Sequence, residues 1–230
     1  MTEEEAQISD VAGSSTAPRR RAGTKDLAHT IGRRLRRLRE AQQLSLRALA
    51  ERVGVTASLL SQVELGQVNP SVDTLFALAE ALGVSVSEFF DGDSPRTTAA
   101  PAALHSAATR SMVASKASVP VVGPLERKRI ELKHGVVWES LLPVEEPGLE
   151  WMVIHYPPGA ASSARMQRHG GRDYGLVLKG RLTIKLGFLE HTLGPGDSIS
   201  YDASTPHQLR NDGDSAVEAV WLVLDRHAVG

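Results

Sequence analysis

Between residues 31 and 90 the apolar positions recur at helical spacing in five short runs separated by tight turns, which commits this stretch to a small helical bundle. Ile31, Leu35 and Leu38 share one face of the first run, leaving Arg33, Arg34, Arg36, Arg37 and Arg39 outside. Ser45 is placed to cap a second helix whose Leu46, Leu49, Ala50 and Val53 point inward. Gly54 ends it, because glycine enters the left-handed backbone region without steric cost. Thr56 caps a third helix in which Leu60 and Val63 face the core, with Ala57, Ser58, Ser61 and Gln62 outside. Asn69, Pro70 and Ser71 open a fourth, with Leu75, Leu78 and Leu82 inside and Gly83 at its end. Ser85 to Glu88 reads as a capping box for a fifth.

The net charge of −1 argues by itself against a polyanion binder, but the charge is segregated. Residues 19–52 carry eleven Lys or Arg against Asp26, Glu40 and Glu51, whereas residues 53–91 carry five acids and no base. A basic surface of that kind meets a phosphate backbone by releasing counterions, with Arg36 among the contacts. A solvated helix face is the alternative for the arginine cluster.

A chain of 230 residues has room for two modest domains, each burying its own core. With no cysteine, a disulfide framework, a thiolate zinc site and a cysteine nucleophile are all excluded. No apolar run approaches the roughly 20 residues that span a bilayer. The acidic first ten residues also lack the order of a secretory signal. A soluble, cytoplasmic protein without membrane association is the expectation. Residues 1–26 read as a disordered arm, 27–91 as the helical domain, 92–118 as a Pro-, Ala- and Ser-rich linker and 119–230 as a second domain.

In that second domain the period changes to two. The runs 149–156, 174–178, 181–186, 198–201 and 217–224 are β-rich and are punctuated by glycine turns, as in an antiparallel sandwich or barrel. The fold class is therefore α + β in two domains, a five-helix bundle followed by an all-β barrel.

Both halves carry resemblances. Residues 31–35, 46–56 and 60–66, followed by Asn69-Pro70-Ser71 and Leu82-Gly83-Val84, resemble the phage-repressor-type (XRE) helix-turn-helix family, with the motif at about 46–65. The resemblance implies that the third helix lies in the major groove of double-stranded DNA. Ser45, Arg47 and Thr56 would then hold the backbone, while Ser58, Leu59, Ser61 and Gln62 face base edges. The Gln62 amide offers adenine a donor and an acceptor together, and Leu59 offers a thymine methyl an apolar contact.

Residues 167–175, 178–180 and 193–197, with Pro206, His207 and Asn211, are similar to the two motifs of the cupin superfamily over 159–224, which implies a jelly-roll barrel. Two departures stand out: Gln167 occupies the first His position, and Asp173 replaces Glu. Gln167 and His169 share a strand face by the period of two, and Asp173 and His207 sit at the matching motif positions. This set is open to three readings: a divalent metal site, a direct grip on an organic effector, or ordinary buried histidines. Trp151, His155, Tyr174 and Trp221 are further pocket candidates, with plain core as the alternative.

The resemblances favour a non-enzymatic, sequence-specific regulator without catalytic residues, whose barrel senses a small-molecule effector and pairs two copies on a palindromic operator. The alternative is a metal-dependent cupin oxygenase or isomerase with an appended DNA-binding domain. Gln167 and the lack of an acid–base group beyond the ligands stand against it. A barrel that only dimerises is a third reading.

Overall fold

The computed structural model describes residues 24–90 and 121–224, so most of the expected arm and the whole expected linker lie outside the described residues. Four α-helices come first: α1 Thr24–Ala41, α2 Leu46–Val53, α3 Ala57–Glu64 and α4 Val72–Leu82. The first already runs from Thr24, ahead of the expected boundary at residue 27.

The helix-turn-helix pair is bounded by local chemistry. Ser45 Oγ accepts the Ala48 N–H at 3.1 Å, Gly54 sits at φ 73°, and Thr56 Oγ1 accepts the Leu59 N–H at 3.1 Å. α1 crosses α3 closely at Gly32, where a β-carbon would fall 2.3 Å from the Val63 carbonyl oxygen.

Two expectations are corrected here. The arginines of α1 do not all face solvent: Arg39 is buried and bonds both carboxylate oxygens of Glu64 at 2.6 and 2.9 Å, and half-buried Arg34 bonds Glu88 at 3.0 Å. Each finds an acid on a neighbouring element, so its charge is neutralised inside the bundle. The fifth helix is not an α-helix but a 3-10 turn over Val86–Phe89. Its capping box does not form. Ser85 Oγ meets Ser87 Oγ, the Glu88 carboxylate goes to Arg34, and the Ser87 N–H donates to Glu150 in the second domain at 2.9 Å.

Nine antiparallel strands follow: β1 Arg129–Glu131, β2 Val137–Ser140, β3 Leu149–Tyr156, β4 Arg172–Lys179, β5 Leu182–Leu186, β6 Leu189–Leu193, β7 Ser198–Asp202, β8 His207–Arg210 and β9 Val217–Leu224. They form a six-stranded sheet ordered β1-β2-β3-β9-β4-β7 and a three-stranded sheet ordered β6-β5-β8. Residues of alternate phase, such as Met152, Ile154, Tyr156, Ile184, Leu209 and Trp221, fill the space between them.

The helical domain docks on this barrel. The Val72 N–H donates to the Ser162 carbonyl at 3.0 Å, the Lys133 N–H to the Pro70 carbonyl at 2.9 Å, and the buried apolar residues of both domains join one cluster. Among the described residues no helix is long and apolar enough to cross a membrane.

Candidate nucleic-acid interface and barrel cavity

On α3 the split between faces is sharp. Leu60 and Val63 are buried, Ala57, Ser58 and Gln62 are exposed, Ser61 is half-buried, and Leu59 packs half-buried against the core. Ser45, Arg47 and Thr56 are exposed around it. The two capping hydroxyls accept backbone N–H groups, which leaves each O–H proton free to donate outward. Arg36 is exposed and hydrogen-bonded to Glu40 at 2.8 Å, a bond that raises the guanidinium pKa above its ordinary value and lowers that of the acid.

Inside the barrel, strand alternation brings part of the cupin set together. Asp173 on β4 and His207 on β8 are fully buried, Gln167 pairs with His207 across an isolated bridge, and His169 follows two residues on. One Asp173 oxygen accepts from Tyr201 Oη at 2.8 Å and Trp221 Nε1 at 3.1 Å. The other lies 3.6 Å from His169 Nε2. Gln167 Nε2 lies 3.3 Å from His207 Nε2.

The Nδ1 atoms of both imidazoles are fixed by their neighbours. His207 Nδ1 lies 3.0 Å from the Thr205 carbonyl and His169 Nδ1 lies 3.0 Å from the Gly170 carbonyl, so each Nδ1 donates to a carbonyl and each Nε2 is turned toward Asp173, at 3.9 and 3.6 Å. Burial lowers the His207 pKa and keeps its ring neutral.

His169, Asp173 and His207 bring their ligand atoms within 4.8 Å of one another. Gln167 Oε1, His169 Nε2 and Asp173 Oδ1 are buried with no hydrogen-bond partner among the described residues. Leaving three such atoms unpaired is costly, and two imidazoles, a carboxylate and an amide oxygen fit a divalent cation.

Three of the four further candidates lie elsewhere. Tyr174 follows inward-facing Asp173 on the same strand, so the period of two turns it to the outer face, and its expected place in the pocket is corrected. Trp151 also points outward, and His155 is half-buried beside Glu139 at 3.8 Å. Trp221 points inward, onto Asp173.

Two further residues escape sequence reasoning, one at the cavity and one at the seam between the domains. Phe76 of α4 reaches over the cavity and stacks on His169 at 4.1 Å and 7°, with Trp138 edge-on to it at 5.9 Å. Its signal is a large aromatic beside the Leu75, Leu78, Leu82 stripe, which implies a second covered face on α4. Glu150 is buried and caps the Val86–Phe89 turn from β3. Its signal is an acid in phase with the inward residues Met152, Ile154 and Tyr156. The cavity beneath Phe76 has a volume of about 20 Å³.

Known proteins match both halves. The helix-turn-helix family matches residues 35–89 and the cupin domain family matches residues 152–223. The HTH-type transcriptional regulator PuuR of Escherichia coli strain K12 is 28% identical over 182 residues, 78% of this chain and 86% of the relative. The uncharacterized HTH-type transcriptional regulator y4dJ of Sinorhizobium fredii is 40% identical over 60 residues, 26% of this chain and 78% of the relative. The crystal structure of an HTH_3 family transcriptional regulator from Vibrio cholerae superposes with a TM-score of 0.60 at 23% identity, covering 89% of this chain and 100% of that one. The chain belongs to the phage-repressor-type (XRE) helix-turn-helix family of transcriptional regulators and carries a carboxy-terminal cupin domain.

Proposed function

We propose that this DNA-binding regulator works in the cytoplasm as a homodimer on a palindromic operator, and that its barrel senses a small-molecule effector. The carrying observation is the outward polar face of α3, held between two capped helix starts: Ser58, Ser61 and Gln62 are offered to base edges, with part of Leu59 beside them. Arg36, Ser45, Arg47 and Thr56 flank that face as phosphate contacts.

A single reading head touches too few base pairs for strong selectivity, so two are needed. Trp151, Tyr174, Leu176 and Leu178 are 42%, 37%, 40% and 41% exposed on the outer face of the larger sheet. Cross-strand register sets Trp151, Leu222 and Tyr174 side by side there. An apolar patch of this kind supports pairing of two barrels.

In the cavity, Gln167, His169, Asp173 and His207 would hold a divalent cation, which would supply a fixed positive charge and Lewis acidity. Catalysis has less support. The neighbouring phenols, Tyr156 and Tyr201, are pushed far above their ordinary range by burial and by the Asp173 charge, so neither serves as a general base near neutrality.

Capture of genomic fragments followed by sequencing tests the reading. One enriched palindrome is the expected result, and equal retention of all fragments overturns it. On the enriched site Gln62→Ala costs about 1–3 kcal/mol of binding while leaving random DNA unaffected. Equal losses on both would show that Gln62 does not read bases.

A further inference from the structure

The cavity in the barrel has a wall that does not belong to the barrel. Phe76 and Val72 of α4 close it, and α4 packs on α2, one of the two helices of the reading head. Phe76 lies flat on the His169 ring, edge-on to Trp138, so a phenyl-sized slot above His169 is filled by the protein's own side chain. What remains beneath is about 20 Å³, the space of a single water or a bare ion. At the floor of the cation-free site, the acceptors Gln167 Oε1 and Asp173 Oδ1 meet no donor, and His169 Nε2 has no hydrogen-bond partner among the described residues.

We propose that α4 is the lid of the sensing cavity and that Phe76 is a built-in occupant, displaced by a planar ring carrying hydrogen-bond donors at its edge. Such a ligand takes over the stack on His169 and gives the floor the donors that Phe76 lacks. It cannot enter while Phe76 stays. Because the lid is an element of the DNA-binding domain, cavity occupancy and the placement of the reading head form one equilibrium, and each ligand alters the affinity of the other. The backbone contact from Val72 to Ser162 and the Glu150 cap on Ser87 lie along the same seam and must adjust when α4 moves. This inference rests on the sensor reading above and specifies how sensing reaches the DNA.

The test uses the full chain freed of divalent cations by chelation, with benzamidine as the probe: a flat ring with an amidinium donor edge. Titration calorimetry on wild type and Phe76→Ala compares the affinities, and operator binding is measured with and without saturating probe. Removing the built-in competitor tightens benzamidine binding about tenfold. In wild type the probe shifts operator affinity several-fold. In Phe76→Ala it binds without shifting it. Phe76→Leu, which keeps apolar cover but not the stacked ring, guards against a folding defect and falls between the two.

Equal probe affinity in all three proteins, an identical operator response in wild type and Phe76→Ala, or no probe binding at all overturns the lid. Operator selectivity without probe is read in the same experiment. If selectivity persists while the lid fails, only this inference falls; if selectivity is absent while the probe still discriminates the variants, the regulator reading falls and the slot stands.

Discussion

Gly175 and Trp221 are paired across β4 and β9, and the indole lies over the bare glycine. A β-carbon on Gly175 would fall 2.1 Å from Trp221 Cζ3 and 2.6 Å from Cε3, closer than any packed atoms approach. The glycine therefore makes room for the ring that donates to Asp173. The same indole bond and the Tyr201 bond both load one oxygen of that carboxylate, which leaves the other turned toward His169. Gly175→Ala forces Trp221 aside and lowers stability by about 1–3 kcal/mol, as overpacked cores do. Urea unfolding reads this directly, and an unchanged midpoint would mean that the indole has space to retreat.

At the scale of elements, α2, the turn and α3 are legible in the sequence because Ser45, Gly54 and Thr56 bound them through bonds three to five residues long. The 3-10 turn at Val86–Phe89 is misread as a helix because its cap comes from Glu150, 63 residues away, which no local pattern reveals. Strands β3 and β9 are read with their full bounds, since both alternate or run apolar for eight residues. β1 and β2 are only three and four residues long, and β6 is exposed almost throughout, so none of them carries a period. For the cavity, the resemblance to the cupin motifs supplies Gln167, His169, Asp173 and His207; the strand that the period of two implies for Gln167 and His169 is reduced to an isolated bridge at Gln167, and the lid is a tertiary contact that no local pattern carries. The clamp between α1 and α3 is similarly hidden: Arg39, 9% exposed, spans from Glu64 to the Leu44 carbonyl. Arg39→Ala strands the Glu64 carboxylate on α3 and costs about 3–5 kcal/mol. Replacing both partners by apolar residues, Arg39→Met with Glu64→Leu, recovers most of that loss in thermal unfolding. A double variant no more stable than Arg39→Ala would assign the cost to packing rather than to the stranded charge.

For the whole molecule, the two domains are joined by a seam with a titratable group at its centre. Glu150 is pushed up from 4.5 to about 7, first by burial and then by the nearby Glu145 charge, while the backbone N–H groups of Ser87 and Val86 pull the other way. Its folded value lies above the unfolded one, so between about 4.5 and 7 the folded protein holds a proton that the unfolded chain has released. The stability it contributes is therefore complete below about 4.5 and is lost as the pH rises through about 7. The full swing is roughly 3 kcal/mol, at 1.36 kcal/mol per unit. His207 acts in the opposite sense: its lowered value makes stability rise with pH through the ordinary histidine range. The wild-type curve mixes the two, and only its difference from Glu150→Gln isolates the seam. The glutamine keeps an acceptor for the Ser87 N–H but cannot ionise. Unfolding midpoints at pH 5, 6, 7 and 8 should thus diverge, with wild type losing ground to Glu150→Gln from about pH 4.5 to about pH 7 and levelling off above that. Parallel curves would place the Glu150 proton outside the energetics of docking, and the seam would then hold by apolar contact and by the backbone bonds from Val72 to Ser162 and from Lys133 to Pro70.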